Sequence, residues 1–324
     1  MLHRFRVAVM PLLLLAAVPT SPAQAQTAFP ERPIKLIVPL AAGGGGDIVG
    51  RLIAARMQPS LGQPVVVENR AGGATVIGTD LVAKAQADGY TLVLATSSHV
   101  INGSLVKLPF DPVKDFAGVS LVATSPLMLA VNPKRLTVNS LRELVDLAKS
   151  RPEGLTFGSS GVGSLPHLSG EMLARSADIK LIHVAYKGSA PAEADLLGGQ
   201  IDMYFGSPSS LLPHVRAGTL RMLVSTGGRR SGSFPETPTL SETYPSLAAE
   251  TFYTILAPAA TPPAALQRLH AAVRHALETP GTRERLNELG ADVVGSAPAE
   301  TLQYIDIQVR QWERVVKAAG IKAD

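Results

Sequence analysis

Four consecutive glycines, Gly43 to Gly46, stand directly before Asp47, and the apolar, β-branched run Ile34 to Val38, ended by Pro39, stands just before them. The pattern predicts a buried strand, a turn without Cβ atoms and a helix start. Asp47 would be the N-cap, and Ile48, Leu52, Ile53 and Met57 the helix's apolar face. Such a junction presents free backbone N–H groups and the positive end of a helix dipole, which suits a small anion and above all a carboxylate. Glycines also make tight or mobile turns, so the loop alone leaves both readings open. Nucleotides fit poorly. The loop lacks the Lys-Ser/Thr of a P-loop, Ile48 and Val49 occupy the later glycine positions of G-x-G-x-x-G, and Asp47 would repel a phosphate chain.

A second junction repeats the logic: Leu155 to Phe157, then Gly158-Ser159-Ser160-Gly161-Val162-Gly163-Ser164, then a helix from about Leu165 to Ser176. G-x-S-x-G cannot be laid over it, because Val162 stands where the last glycine would follow Ser160. Serines at a helix start cap it or bind an anion more often than they attack a substrate. Ser104 and Lys107 match S-x-x-K, an acyl-enzyme pattern, yet its partner motifs are missing and Lys187-Gly188-Ser189 only echoes K-T-G. His167 and Glu171 are spaced for one helix face, as a metal pair or a surface pair. Tyr186-Lys187-Gly188 follows a strand and would set a phenol and an ammonium beside a cleft, or simply make a turn with a solvated lysine. The reading assigns no catalytic residue, no metal and no cofactor.

These loops need elements to hold them. Strands are predicted at Val65 to Glu68, Thr91 to Ala95, Val119 to Thr124, Leu127 to Val131, Leu181 to Val184, Ile201 to Phe205, Leu220 to Ser225 and Thr251 to Leu256. Helices are predicted between and after them: Ile48 to Gln58, Val76 to Ala87, a capping-box helix from Ser140 to Lys149, Ala190 to Leu197, Pro208 to Ala217, Pro263 to Glu278, Thr282 to Leu289 and Ala299 to Ala319. The alternation indicates an α/β protein with mainly parallel sheet. Gly227 to Ala249 is a long loop that a return crossing between two lobes would explain. Two anion-binding helix starts in separate units imply that the lobes face each other across one cleft.

Residues 1 to 25 read as a secretory signal peptide, with Arg4 and Arg6 before the apolar run Val7 to Val18 and Ala23-Gln24-Ala25 as the cleavage site. Its removal lowers the formal charge from +4 to +2, because it takes two arginines and no acid. The balance is weakly basic and well mixed, which argues against nucleic acid as a partner. The chain has no cysteine, and its one Trp argues against a sugar site of stacked rings. An exported periplasmic monomer with a pocket lined by small and polar groups is expected.

The motifs that carry a family resemblance run nearly end to end, from Phe29-Pro30 to Gly320-Ile321. They are Pro33 to Pro39 with the glycine loop and Asp47, Leu61 to Arg70, Asp88-Gly89-Tyr90-Thr91-Leu92, the Gly158 to Ser164 loop with Pro166-His167-Leu168, Val184 to Gly188, and Asp195 to Gln200. In these the chain resembles the Bug family, the periplasmic solute-binding receptors of tripartite tricarboxylate transporters. The resemblance implies a two-lobed type II periplasmic-binding-protein fold, with a signal peptide at 1–25, lobe one at 26–125 and 246–324, and lobe two at 126–245. It further implies capture of a small carboxylic acid by hinge closure and delivery to membrane permease subunits, or else presentation to a sensor protein. A serine hydrolase is the remaining alternative. Carried over by position, the ligand residues would be Ala41, Ala42, Gly43, Gly44, Gly45, Asp47, Thr96, Ser97 and Ser98 from lobe one. Lobe two would supply Ser159, Ser160, Gly161, Gly163, Ser164 and His167, with Tyr186, Lys187 and Gly188. The chain departs from its relatives at Phe205-Gly206-Ser207, where they often carry an acidic residue followed by Asn. That departure favours an amine-free acid over an amino acid.

Overall fold

The computed structural model describes residues 29–320 apart from Ala41, Lys187 and Ser246. The predicted signal peptide lies outside the described residues. Strand β1 (Ile34–Val38) runs through the glycine loop into α1 (Gly45–Leu61), followed by β2 (Val65–Asn69), α2 (Val76–Ala83), β3 (Thr91–Ala95) and a short α3 (Ser97–Ile101). Ile34, Leu36 and Val38 share one apolar core with Val49, Ile53 and Met57 of α1, so Val49 joins Ile53 and Met57 on the buried face while Ile48 and Leu52 are only half-buried.

The long strand β4 (Phe116–Pro126) is separated by Leu127 alone from β5 (Met128–Val131), and here the chain crosses to a second sheet. There it forms α4 (Leu141–Ser150), β6 (Leu155–Ser159), α5 (Leu165–Ala177), β7 (Leu181–Ala185), α6 (Ser189–Leu197), β8 (Met203–Gly206), α7 (Pro208–Arg216) and β9 (Arg221–Ser225). A connection holding the short α8 (Leu240–Thr243) returns to β10 (Glu250–Pro258), after which α9 (Pro263–Glu278), α10 (Thr282–Glu288), β11 (Asp292–Val293) and α11 (Pro298–Ala319) complete the first lobe.

The sheets are mixed, which corrects the mainly parallel expectation. Strand order is β11-β4-β10-β3-β1-β2 in one and β7-β6-β8-β5-β9 in the other. β1 pairs in parallel with β2 and β3, while β10 runs antiparallel to β3 and β4. The strands that cross between lobes enter their sheets from the opposite end, and periodicity within a strand carries no trace of that direction. Helix bounds also differ: α1 starts three residues before Ile48 and ends three after Gln58, and α2 stops at Ala83 rather than Ala87.

Thr226 ties the two crossings together. Its N–H donates to Leu127 O and its Oγ accepts from Leu127 N–H, each at 2.9 Å, while its carbonyl accepts from Ala249 N–H and its hydroxyl donates to Ala249 O. Thr226 is fully buried, so all four bonds are shielded from water. One apolar core runs from Ile37 and Val93 in the first sheet to Leu129, Phe157 and Phe205 in the second, with Trp312 of α11 buried in it.

Candidate functional site

A cavity of about 330 Å³ opens between the lobes. From the first lobe it is lined by Leu40, Gly45, Gly46, Thr96, Ser97, Ser98, Thr251, Tyr253 and Leu289, with Ser125 and Leu127 at the crossing. The second lobe adds Ser160, Ser164, Leu165, Pro166, Ser189, Tyr204, Phe205, Gly206, Ser207 and Ser209. Twelve of these residues carry a hydroxyl and none of the described lining residues carries a charged side chain, so any ionic ligand must be held by dipoles.

The dipoles come from helix starts. Helices α1, α3, α5, α6 and α7 all present first-turn or cap residues to the cavity, namely Gly45 and Gly46, Thr96 to Ser98, Ser164 to Pro166, Ser189, and Ser207 with Ser209. None of their N-cap residues, Gly44, Thr96, Ser164, Gly188 and Ser207, uses a side chain to cap the first turn. By contrast Ser140, at the start of α4 away from the cavity, accepts from Glu143 N–H at 3.2 Å. The cleft helices therefore keep N–H donors unspent where their dipoles add positive potential, an arrangement that attracts carboxylate and repels ammonium.

Close packing on glycine sets the loop shape. A Cβ on Gly46 would lie 2.5 Å from Leu40 Cδ1, and one on Gly45 would crowd the Tyr253 hydroxyl at 3.2 Å. α3 is anchored from below by His99, whose Nε2 donates to Pro112 O at 2.8 Å while its ring stacks on Phe110. Burial holds that imidazole neutral, its pKa lowered to about 4.

Of the residues expected at the ligand, Gly45, Thr96, Ser97, Ser98, Ser160 and Ser164 line the cavity. Ala42, Gly43 and Gly44 sit exposed on the loop outside it, and Ala41 and Lys187 lie outside the described residues. Asp47 is inside α1, not at its cap, and its carboxylate faces away from the cavity. It accepts from Gly43 N–H (2.8 Å), Arg51 Nε (3.0 Å) and Asn69 Nδ2 (2.9 Å). The Arg51 bond above all holds its pKa at about 2, helped by Gly43 and Asn69 against the opposing effect of burial. Asp47 thus shapes the glycine loop from behind.

The serine-glycine loop is built the same way. Ser159 is fully buried, its Oγ accepting from Gly161 N–H at 3.1 Å and meeting His183 Nε2 at 2.6 Å. His167 Nδ1 accepts from Gly163 N–H at 3.0 Å, so Ser159, Gly161, Gly163 and His167 form the back of the loop while Ser160 and Ser164 form its front. Tyr186 points elsewhere, donating to Asp195 Oδ2 at 2.7 Å, and burial followed by that carboxylate pushes the phenol up to about 12. Gly188 supplies the left-handed turn before α6 without lining the cavity. Ser104 and Lys107 line a separate depression between the α3 region and α11 and are absent from the cavity lining.

Several lining residues went unread in the sequence. Thr251 and Tyr253 alternate with buried Phe252 and Thr254 along β10, and that period of two was the available signal. Ser125 and Leu289 offered none, since the tertiary crossing and the α10–β11 turn bring them in. Tyr204 and Phe205 also border the cavity, with Gly206 and Ser207 beside them.

Two mixed sheets joined by two crossings, with a cleft of helix starts between them, define a two-lobed periplasmic-binding-protein fold, that of a solute-binding receptor. The chain belongs to the tripartite tricarboxylate transporter family receptors, whose pattern matches residues 49–321. It is 38% identical over 320 residues to protein BugT of Bordetella pertussis, covering 98% of both chains. Among solved structures it resembles the R. palustris protein Rpa4515 with adipate, at 33% identity and a TM-score of 0.79, covering 91% of this chain and 100% of that one. It also resembles MatC from Rhodopseudomonas palustris with bound malate, at 32% identity and a TM-score of 0.75, covering 89% and 100%. Family and fold place its work in the periplasm.

Proposed function

We propose that the cleft captures a small, amine-free carboxylic acid, that the lobes close on it about the Thr226 hinge, and that the loaded receptor docks on the membrane permease of a tripartite tricarboxylate-type transporter. The observation that carries this reading is the convergence of five uncapped helix starts on a cavity whose described lining has no charged side chain. A carboxylate is stabilised by that field, whereas an α-ammonium would find no acidic partner at Gly206 or Ser207. The cavity lies at the small end of ligand pockets, matching a short acid, and the adipate and malate in the two R. palustris relatives point the same way. In this reading lobe one comprises 26–125 and 246–324, lobe two 126–245, and a signal peptide is removed near Ala25. The receptor works as a monomer, and the bound acid is released unchanged. Presentation of the closed form to a sensor protein would use the same cleft.

Native mass spectrometry of the purified receptor, followed by thermal-shift and calorimetric titration of adipate, malate, aromatic acids and amino acids, tests the proposal. A free acid at about 100 times its Kd should stabilise the fold by about 2.7 kcal/mol. Tighter binding of an amino acid than of every amine-free acid would overturn the preference, and no response to any acid would overturn the carboxylate reading.

A further inference from the structure

Behind the serine-glycine loop, the rings of Phe157 of β6, His183 of β7 and His167 of α5 cluster, with the two imidazoles 3.8 Å apart and nearly parallel. His167 is almost fully buried and absent from the cavity lining. Its Nδ1 accepts from Gly163 N–H, and a Cβ on Gly163 would lie 2.5 Å from Leu105 Cδ1 of the first lobe. The ring therefore fixes a residue that adjoins both the ligand-facing Ser164 and the opposite lobe.

We propose that His167 is a positioning residue for ligand binding: without touching the ligand, its neutral ring holds the serine-glycine loop in the receptive shape through Nδ1. The proposal rests on the cleft being the ligand site. A proton on Nδ1 would set two N–H donors against each other at Gly163 and break the tether. The titratable groups against the ring are His183, stacked on it, and Glu171, whose Oε1 lies 3.8 Å from Nε2. His183 opposes a charge on His167. Glu171 favours one, although its own carboxyl is pushed up by burial and it is shared with the nearby Arg175. The Leu105 contact on the loop is apolar. Burial first, then His183, lowers the pKa of His167 to about 4, so the ring is neutral over the ordinary working range.

The test compares wild type, His167→Asn and His167→Ala. Asn offers Oδ1 as an acceptor near the position of Nδ1 and cannot take up a proton. Adipate titration at pH 7.5 should show binding about tenfold weaker in H167A and within about threefold of wild type in H167N. The ratio of wild-type to H167N Kd should then rise about twofold on going down to pH 4, since the ligand's own ionisation is common to both proteins. Long-range ¹⁵N spectra of ligand-free wild type should show the Nε2–H tautomer of His167, with the Gly163 amide shifting as that ring titrates. Equal adipate binding by all three proteins would overturn the proposal, as would a Gly163 amide indifferent to His167. If wild type binds no acid at all, the cleft reading fails instead, and the spectra alone decide the loop tether, which stands or falls with the amide shift.

Discussion

Replacing Asp47 by Asn tests whether the glycine loop is shaped from behind by charge. The carboxylate gathers a backbone N–H, a guanidinium and an amide within 3.0 Å. Its folded pKa is about 2 against an ordinary 3.8, chiefly through Arg51. A depressed carboxylate pKa means that the stabilisation is complete above pH 3.8 and is lost as pH falls through about 2. Each unit is worth about 1.4 kcal/mol, so the full shift corresponds to about 2.4 kcal/mol. Because Arg51 is half exposed and screened by solvent, we expect about 1.5 kcal/mol. Urea unfolding at pH 7 should therefore show Asp47→Asn less stable by that amount, and the gap should narrow steadily as both proteins are taken toward pH 2. The Gly43 tether also weakens, so adipate affinity at pH 7 should fall severalfold. A stability difference that does not change with pH, or none at pH 7, would refute the electrostatic account.

Two other substitutions probe the frame. Thr226→Val leaves the buried Leu127 N–H and Ala249 carbonyl each short of a partner, at about 1–3 kcal/mol per group. Chemical denaturation should show a loss of at least 2 kcal/mol that Thr226→Ser restores in large part, and a loss under 0.5 would argue against the hinge clasp. His99 has a folded pKa of about 4, below its ordinary 6.5, so its contribution is complete above pH 6.5 and is lost as pH falls through about 4. His99→Gln, which can still donate to Pro112 O, should remove up to about 3 kcal/mol of the acid-side decline in stability; an unchanged profile would remove His99 from the explanation.

The sequence alone determined the local grammar of this receptor. Val, Ile and Leu spaced for a buried strand, followed by glycine or serine and then an apolar helical face, specify β1–loop–α1 and β6–loop–α5, because strand and helix periods are local properties of the backbone. The same signals located most of the other elements to within a few residues, and the family resemblance placed Gly45, Thr96 to Ser98, Ser160 and Ser164 among the groups that line the cleft. Tertiary structure decided which side of each loop faces the cleft. Ser159 and Ser160 are adjacent and chemically identical, yet one is sealed against His183 and the other opens into the cavity, a distinction made by the pleat of β6 and the packing behind it. Asp47 has the cap residue's chemistry but turns away from the cavity, held by Gly43, Arg51 and Asn69. Thr251 and Tyr253 reach the site because β10 lies antiparallel between β3 and β4, a pairing made by chain segments more than a hundred residues apart. Spacing along the chain shows which groups a loop offers, and only the packed lobes determine which of them the cleft exposes.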